Sequence, residues 1–212
     1  MRIALFGGTF DPPHRGHIAI ARAAADRFEL DRVLFAPAGK QPLKAATPGA
    51  EYADRLAMVK IAVETHAADS ALRFFASTID APRPDGSANY TVDTLSRLGN
   101  ELAAEDAEEN DIFCITGADA FLDIRRWRQP ELLLELADWI VVSRPGFSLA
   151  DLSPLQLTPL QHRHVHLLEG IAEDVSATQL REALRNGQDV DADLAPGVAE
   201  YIRQHHLYTA IQ

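Results

Sequence analysis

The chain has 212 residues, 47% of them hydrophobic, and a formal net charge of −11. That length suits one α/β domain with a substantial core, and no apolar run approaches the length that spans a bilayer, so a soluble protein is predicted. The acidity argues against sequence-independent nucleic-acid binding, which needs a basic surface to displace phosphate counterions. The start, Met1-Arg2-Ile3-Ala4-Leu5-Phe6, runs at once into glycines and lacks the long apolar core of a secretory signal. The single Cys114 lies in an apolar run at 112–115, where a thiol behaves as a small buried hydrophobe. Both features predict a cytoplasmic protein.

In chain order, short apolar or β-branched runs bounded by turn residues predict strands at 2–6, 32–36, 72–76, 111–116, 139–143 and 164–168. Between them, apolar residues at spacings of three and four predict helices at 18–28, 52–64, 92–104 and 130–136. Two more helices are expected at 177–185 and 196–205, the last opened by a proline that suits a first helical turn. The alternation implies an α/β fold: a doubly wound, mainly parallel sheet with helices on both faces and a small C-terminal helical extension. No repeat or boundary interrupts it, so residues 1–212 are read as a single domain.

In an open parallel sheet, ligands collect at the carboxyl ends of the strands where the strand order reverses. Attention therefore falls on the loops that begin at Gly7, Pro37, Gly117 and Arg144. The first reads Gly7-Gly8-Thr9-Phe10-Asp11-Pro12-Pro13-His14-Arg15-Gly16-His17. Glycines there let the backbone approach a polyphosphate, and the following helix offers free N–H groups to an anion. The loop has neither the Gly-Lys-Ser/Thr of a Walker loop nor the Gly-x-Gly-x-x-Gly spacing of a dinucleotide fingerprint. His14 and His17 are spaced as neighbours on one helical face. On their own they fit a helix start or two ligands of a metal as well as a site for charge stabilisation. If a phosphate attacks the α-phosphorus of ATP, the nucleophile is already anionic, and alignment plus charge stabilisation is all the chemistry requires.

Residues 7–17 resemble the His-x-Gly-His signature of the nucleotidyltransferase superfamily, and the flanking Gly-Gly-Thr-Phe-Asp-Pro-Pro brings the likeness close to bacterial nicotinate-nucleotide adenylyltransferases. Further matches follow in that family's order: Tyr90-Thr91-Val92-Asp93-Thr94-Leu95, Gly117-Ala118-Asp119 with Trp127, Val141-Val142-Ser143-Arg144-Pro145-Gly146, Ser176-Ala177-Thr178-Gln179-Leu180-Arg181, and residues 196–208. The resemblance implies a Rossmann-like fold and adenylyl transfer from ATP to nicotinate mononucleotide in NAD biosynthesis.

It also implies roles. Gly7, Gly8, Thr9, Phe10, Gly117, Asp119, Arg144, Ser176 and Thr178 would bind ATP, and His14, His17 and Arg181 would act on its phosphates. Hydroxyls, helix N–H groups and an arginine do make a favourable anion site, although Ser176-Ala177-Thr178 is also an ordinary helix cap. Lys40 and Lys44 would meet the mononucleotide phosphate, while Tyr90, Thr91, Trp127 and Arg128 would form the pyridine pocket, the indole offering a flat face. Trp127 could equally be a core anchor, but the arginines at 125, 126 and 128 argue against full burial. The family's usual Lys-Pro-Pro-His-Lys becomes Lys40-Gln41-Pro42-Leu43-Lys44 here, and Leu43 cannot donate the hydrogen bond that a histidine could. Mg²⁺ is expected with ATP, without a dedicated acidic cage and with no metal ligand among the site residues.

Two rivals follow from the same residues: transfer to another phosphate acceptor, phosphopantetheine or nicotinamide mononucleotide, and a nucleotide-binding regulatory module without turnover. Small-molecule substrates are the expected partners, with no nucleic acid or membrane; the sequence is silent on whether the chain is a monomer or a homo-oligomer. The alternating His162, His164 and His166 would share one face of a strand, yet no acidic partner is evident nearby. The acidic run 105–111 reads as a solvated loop.

Overall fold

A computed structural model describes residues 1–43, 47–67, 73–104, 110–143, 149–171 and 175–209. In β1 (Arg2–Gly8), Ile3 and Leu5 enter one core while Ala4 and Phe6 enter another, because successive strand side chains point to opposite faces. The chain continues through α1 (Arg15–Phe28), β2 (Arg32–Pro37), α2 (Tyr52–Ala67), β3 (Arg73–Ala76), α3 (Thr91–Ala104), β4 (Asp111–Gly117) and α4 (Ala118–Phe121). There follow α5 (Pro130–Leu136), β5 (Asp138–Val142), α6 (Pro159–Arg163), β6 (Val165–Leu168), α7 (Ala177–Arg185) and α8 (Val198–Gln204), with 3-10 turns at Ile124–Arg126 and Leu149–Leu155.

The strands form one sheet in the order β3-β2-β1-β4-β5-β6, each parallel to its neighbours. The order grows outward in both directions from β1, so the reversal falls between β1 and β4, where the carboxyl ends of both strands meet the start of α1. On one face, Ala21, Ala24 and Ala25 of α1, Met58 and Val59 of α2, Leu180 of α7 and Ile202 of α8 bury the sheet. On the other, Leu95 and Leu98 of α3 and Leu133 and Leu134 of α5 close around Trp139, whose indole N–H donates to the Leu133 carbonyl at 3.1 Å. That bond removes the polar cost of burying the ring. Cys114 is buried as expected, and burial pushes its thiol up to about 12.

Several expectations are corrected. Helix α1 starts at Arg15 rather than residue 18, because Gly16 and His17 interrupt the apolar pattern that marks the rest. Helix α8 starts at Val198 with Gly197 as its N-cap at φ 79°, so Pro196 precedes the helix rather than opening it. Short α4 and α6 and the two 3-10 turns carry too few residues for a periodic pattern. His162 lies in α6 and His164 caps it, leaving only His166 in β6. Both His164 and His166 do have an acidic partner, Asp138, whose Oδ1 lies 3.2 and 3.0 Å from their ring nitrogens. Among the described residues no group of three or more His, Cys, Asp or Glu side chains is placed to hold a metal. Residue 72 and the acidic run 105–109 lie outside the described residues.

One buried charge fastens the loops above the sheet. The Arg55 side chain, 3% exposed, donates from Nη1 to the Thr9 carbonyl at 2.7 Å, from Nη2 to Ala38 at 3.0 Å and from Nε to Ala50 at 3.2 Å. Burial works against its charge, and the Asp11 carboxylate contributes most to offsetting that cost. Removing the guanidinium would strand three carbonyls and take a nearby positive charge from the Asp11 carboxylate. Arg55→Met is therefore expected to lower the unfolding free energy by about 3 to 5 kcal/mol in urea denaturation. Arg55→Lys should recover little of the loss, since a single ammonium cannot serve three carbonyls in a fork geometry; wild-type stability in either variant would refute the assignment.

Candidate active site

Above the end of β1, an added Cβ on Gly7 would meet nothing within 4 Å, and the same holds for Gly117 at the end of β4. Both ends of the central strand pair are thus open to a ligand. Gly8 is closely packed instead, with the Phe10 ring 3.1 Å from the position of its missing Cβ. Phe10 is 1% exposed and lies against Phe6, Phe35 and His17, so any contact it makes with a nucleotide is left to its backbone.

His14 is the N-cap of α1 and His17 its third residue. Their rings lie 3.7 Å apart between centroids at 33°, and His17 also rests on Phe10 at 4.8 Å. The His14 backbone N–H donates to His17 Nδ1 at 3.1 Å, which leaves the His17 proton on Nε2. His14 Nδ1 is buried without a partner in the protein. Burial brings His14 down to about 4, with the Asp193 carboxylate opposing, and burial followed by the adjacent His14 ring holds His17 well below the ordinary histidine range. At neutral pH the pair is uncharged, offering N–H donors rather than cations.

Arg181, from the first turns of α7, donates from Nη1 to the Asp11 carbonyl at 2.7 Å and from Nη2 to Thr178 Oγ1 at 3.3 Å. It therefore reaches the signature loop across 170 residues of chain. Ser176 is the N-cap of α7, yet its hydroxyl makes no capping bond. Asp119, in the first turn of α4, is exposed near the end of β4. Arg15 turns away from the opening to Asp193 and the Ala192 carbonyl, each at 3.2 Å.

Tyr90 and Trp127 both pack against the core on the α3 face of the sheet, with Arg128 over Tyr90 and Lys40 beside Asn89. Lys40 Nζ donates to the Gly86 carbonyl at 3.2 Å. The Lys40 and Asn89 backbones are joined by Asn89 N–H to Lys40 C=O at 2.8 Å and by Lys40 N–H to Asn89 Oδ1 at 3.2 Å. The Arg128 guanidinium lies 4.7 Å over the Tyr90 ring, and half-buried Trp127 meets Trp139 edge-on at 5.9 Å. Lys44 and Arg144, both expected at the site, lie outside the described residues.

Sequence reasoning passed over Asp11, Arg55, Asn89 and Tyr208. Arg55 left a trace: it shares a helical face with Met58, Val59 and Ala62, all buried, and a lone charge on an apolar stripe is a sign of internal work. Asn89 and Tyr208 left none, since their partners are distant in sequence.

Residues 5–183 match the cytidylyltransferase-like family model. A "Probable nicotinate-nucleotide adenylyltransferase" of Acidothermus cellulolyticus is 39% identical over 98% of this chain and 94% of its own. A protein of the same name from Roseiflexus sp. is 40% identical over 97% of each. Among solved structures, Plasmodium falciparum nicotinic acid mononucleotide adenylyltransferase complexed with NaAD superposes with a TM-score of 0.71 at 19% identity, covering 98% of this chain and 97% of that one. The chain is thus a nucleotidyltransferase of the cytidylyltransferase-like class. Within that class it belongs to the nicotinate-nucleotide adenylyltransferase family.

The depressed histidines carry a stability consequence. Unfolded His14 takes a proton near 6.5, whereas folded His14 refuses it until about 4, so its contribution is present above 6.5 and is lost as the pH falls toward 4. His17 acts in the same direction. Denaturation at a series of pH values should show stability declining through that window by up to about 1.4 kcal/mol per pH unit for each such group. His14→Asn should flatten the slope, and an unchanged slope would assign it elsewhere.

Proposed function

We propose that this chain, acting as one catalytic domain, transfers the adenylyl group of ATP to nicotinate mononucleotide, giving nicotinate adenine dinucleotide and pyrophosphate in NAD biosynthesis. A phosphate oxygen of the mononucleotide attacks the α-phosphorus of ATP, and the bond to the pyrophosphate leaving group breaks. The observation that carries the reading is the neutral His14–His17 pair at the start of α1, beside the open ends of β1 and β4, in a chain of this family. An anionic nucleophile needs no general base, so two imidazoles too weakly basic to be charged suit donation to phosphate oxygens.

In this reading Gly7, Gly8, Thr9, the Phe10 backbone, Gly117, Asp119, Arg144, Ser176 and Thr178 hold ATP, and Arg181 joins the histidines in stabilising charge. Lys40 and Lys44 neutralise the mononucleotide phosphate, with Tyr90, Thr91, Trp127 and Arg128 around the pyridine ring. ATP would enter as its magnesium complex, since that ion binds through phosphates and keeps waters. Asp11 is not a free ligand for it, because Gly49, Ala50 and Tyr208 occupy its carboxylate. No helix among the described residues is long and apolar enough to cross a membrane, and we place the activity in the cytoplasm.

Pyrophosphate release from ATP, measured with nicotinate mononucleotide, nicotinamide mononucleotide and phosphopantetheine in turn, tests the acceptor; release with none of them would favour a regulatory module. His17→Ala should stay folded, bind ATP, and lose roughly a hundred- to a thousandfold in kcat, the usual loss for one preorganised donor. Near-normal turnover would remove His17 from the mechanism.

Selectivity for the acid is expected to come from backbone donors near Thr91 and Trp127, because the Arg128 guanidinium is spent on the Tyr90 ring. Donors satisfy a carboxylate but leave an amide NH₂ facing N–H groups. The acid should be preferred by roughly thirty- to a thousandfold in kcat/KM, and the preference should survive Arg128→Ala. Its collapse in that variant alone would show that a side-chain cation reads the acid.

A further inference from the structure

Asp11 lies inside the signature loop, is 3% exposed, and accepts three hydrogen bonds on its carboxylate. Its Oδ1 accepts from the Tyr208 hydroxyl at 2.7 Å and from Ala50 N–H at 3.0 Å. Its Oδ2 accepts from Gly49 N–H at 2.7 Å and lies 3.6 Å from Arg181 Nη1. That same Arg181 nitrogen donates to the Asp11 backbone carbonyl at 2.7 Å. Tyr208 and Arg181 thus approach one aspartate from opposite ends of the C-terminal region, and the Tyr208 bond to Oδ1 offsets carboxylate charge that would otherwise draw the guanidinium onto Oδ2.

Two further observations show the arrangement to be imposed. Tyr208 has φ 58° and Phe10, next to Asp11, has φ 49°. Bulky side chains rarely adopt that left-handed region, and they stay there only where surrounding contacts fix them. Gly49 fills the gap between the partners: an added Cβ would come within 3.1 Å of both Arg181 Cδ and a Tyr208 ring carbon.

We infer that Tyr208 is a positioning residue for the transfer reaction: by satisfying the Asp11 carboxylate it leaves Arg181 on the Asp11 carbonyl and Thr178, facing the phosphate site, and keeps the loop bearing His14 and His17 in place. The inference rests on the adenylyl-transfer reading above. Without the hydroxyl, a buried carboxylate short of one donor draws Arg181 across the 3.6 Å gap into a full ion pair. Misplacement of a charge-stabilising group costs transition-state contacts before it costs ground-state binding.

Steady-state kinetics on Tyr208→Phe, Arg181→Ala and the double variant test this. Tyr208→Phe should lose about ten- to a hundredfold in kcat while both KM values stay within about threefold. In the Arg181→Ala background the same change should cost almost nothing in kcat, as residues acting in one unit are not additive. A kcat for Tyr208→Phe within about twofold of wild type, or the same loss in both backgrounds, would overturn the inference and leave Tyr208 as packing only. Gly49→Ala, which wedges the pair apart while keeping the tyrosine hydroxyl, should reproduce the split and carries the test if Tyr208→Phe does not fold. Independently of turnover, the Arg181 Nε–H resonance, assigned by its loss in Arg181→Ala, should shift in Tyr208→Phe. A wild type that transfers no adenylyl group would sink the functional reading alone, and an unshifted resonance would then sink the positioning role.

Discussion

The Arg55 guanidinium reaches the carbonyls of Thr9, Ala38 and Ala50, and so ties the loop after β1 to both ends of the segment after β2. These loops carry the least regular backbone around the site, and irregular backbone over a sheet has no ladder to satisfy its polar groups. A planar cation with five donors in a fixed fork supplies what the ladder cannot. The choice makes Asp11 necessary in turn, because a buried guanidinium with only neutral acceptors would be costly. From that pair the rest of the site follows: Asp11 collects Gly49, Ala50 and Tyr208, and its carbonyl collects Arg181.

The charge economy around the phosphate site is spare. The chain is acidic overall, and the two histidines at the start of α1 are held neutral by burial, His17 also by the adjacent His14 ring. Cations placed there without a ligand would repel one another and the positive end of the helix. Neutral N–H donors avoid that penalty and remain able to donate to an anion. Permanent positive charge is held one step back, on Arg181 from α7, where Asp11 steadies it.

What the sequence made legible was whatever has a short range. The strand and helix order came from periodicities of two and about three and a half, and the position of the site came from the rule that places ligands at the carboxyl ends around a strand-order reversal. The glycine and histidine spacing of residues 7–17 lies within eleven residues of one loop. By contrast, the bond between Tyr208 and Asp11 spans 197 residues, and those from Lys40 to Asn89 span 49. No local pattern encodes such pairs. The His164 and His166 contacts with Asp138 failed for the same reason, as the acid lies 26 and 28 residues away and meets them only because β5 and β6 are neighbours. Phe10 shows a different limit: membership of a ligand loop says nothing about which side of the loop a side chain takes, and here the ring belongs to the core.

The long-range contacts also join residues on the two faces of the sheet. Lys40 is bonded to Asn89, the neighbour of Tyr90, and two residues before Lys40 the Ala38 carbonyl accepts from Arg55, which also holds Ala50. The Gly49 and Ala50 N–H groups donate to Asp11, whose carbonyl holds Arg181. Hydrogen bonds therefore run from the Lys40–Asn89 pair through Arg55 at Ala38 and Ala50 to Asp11 and the Arg181 guanidinium. In-line transfer depends on the distance between an acceptor phosphate and the α-phosphorus, and buried hydrogen bonds that join separate loops are a means by which a protein fixes such a distance.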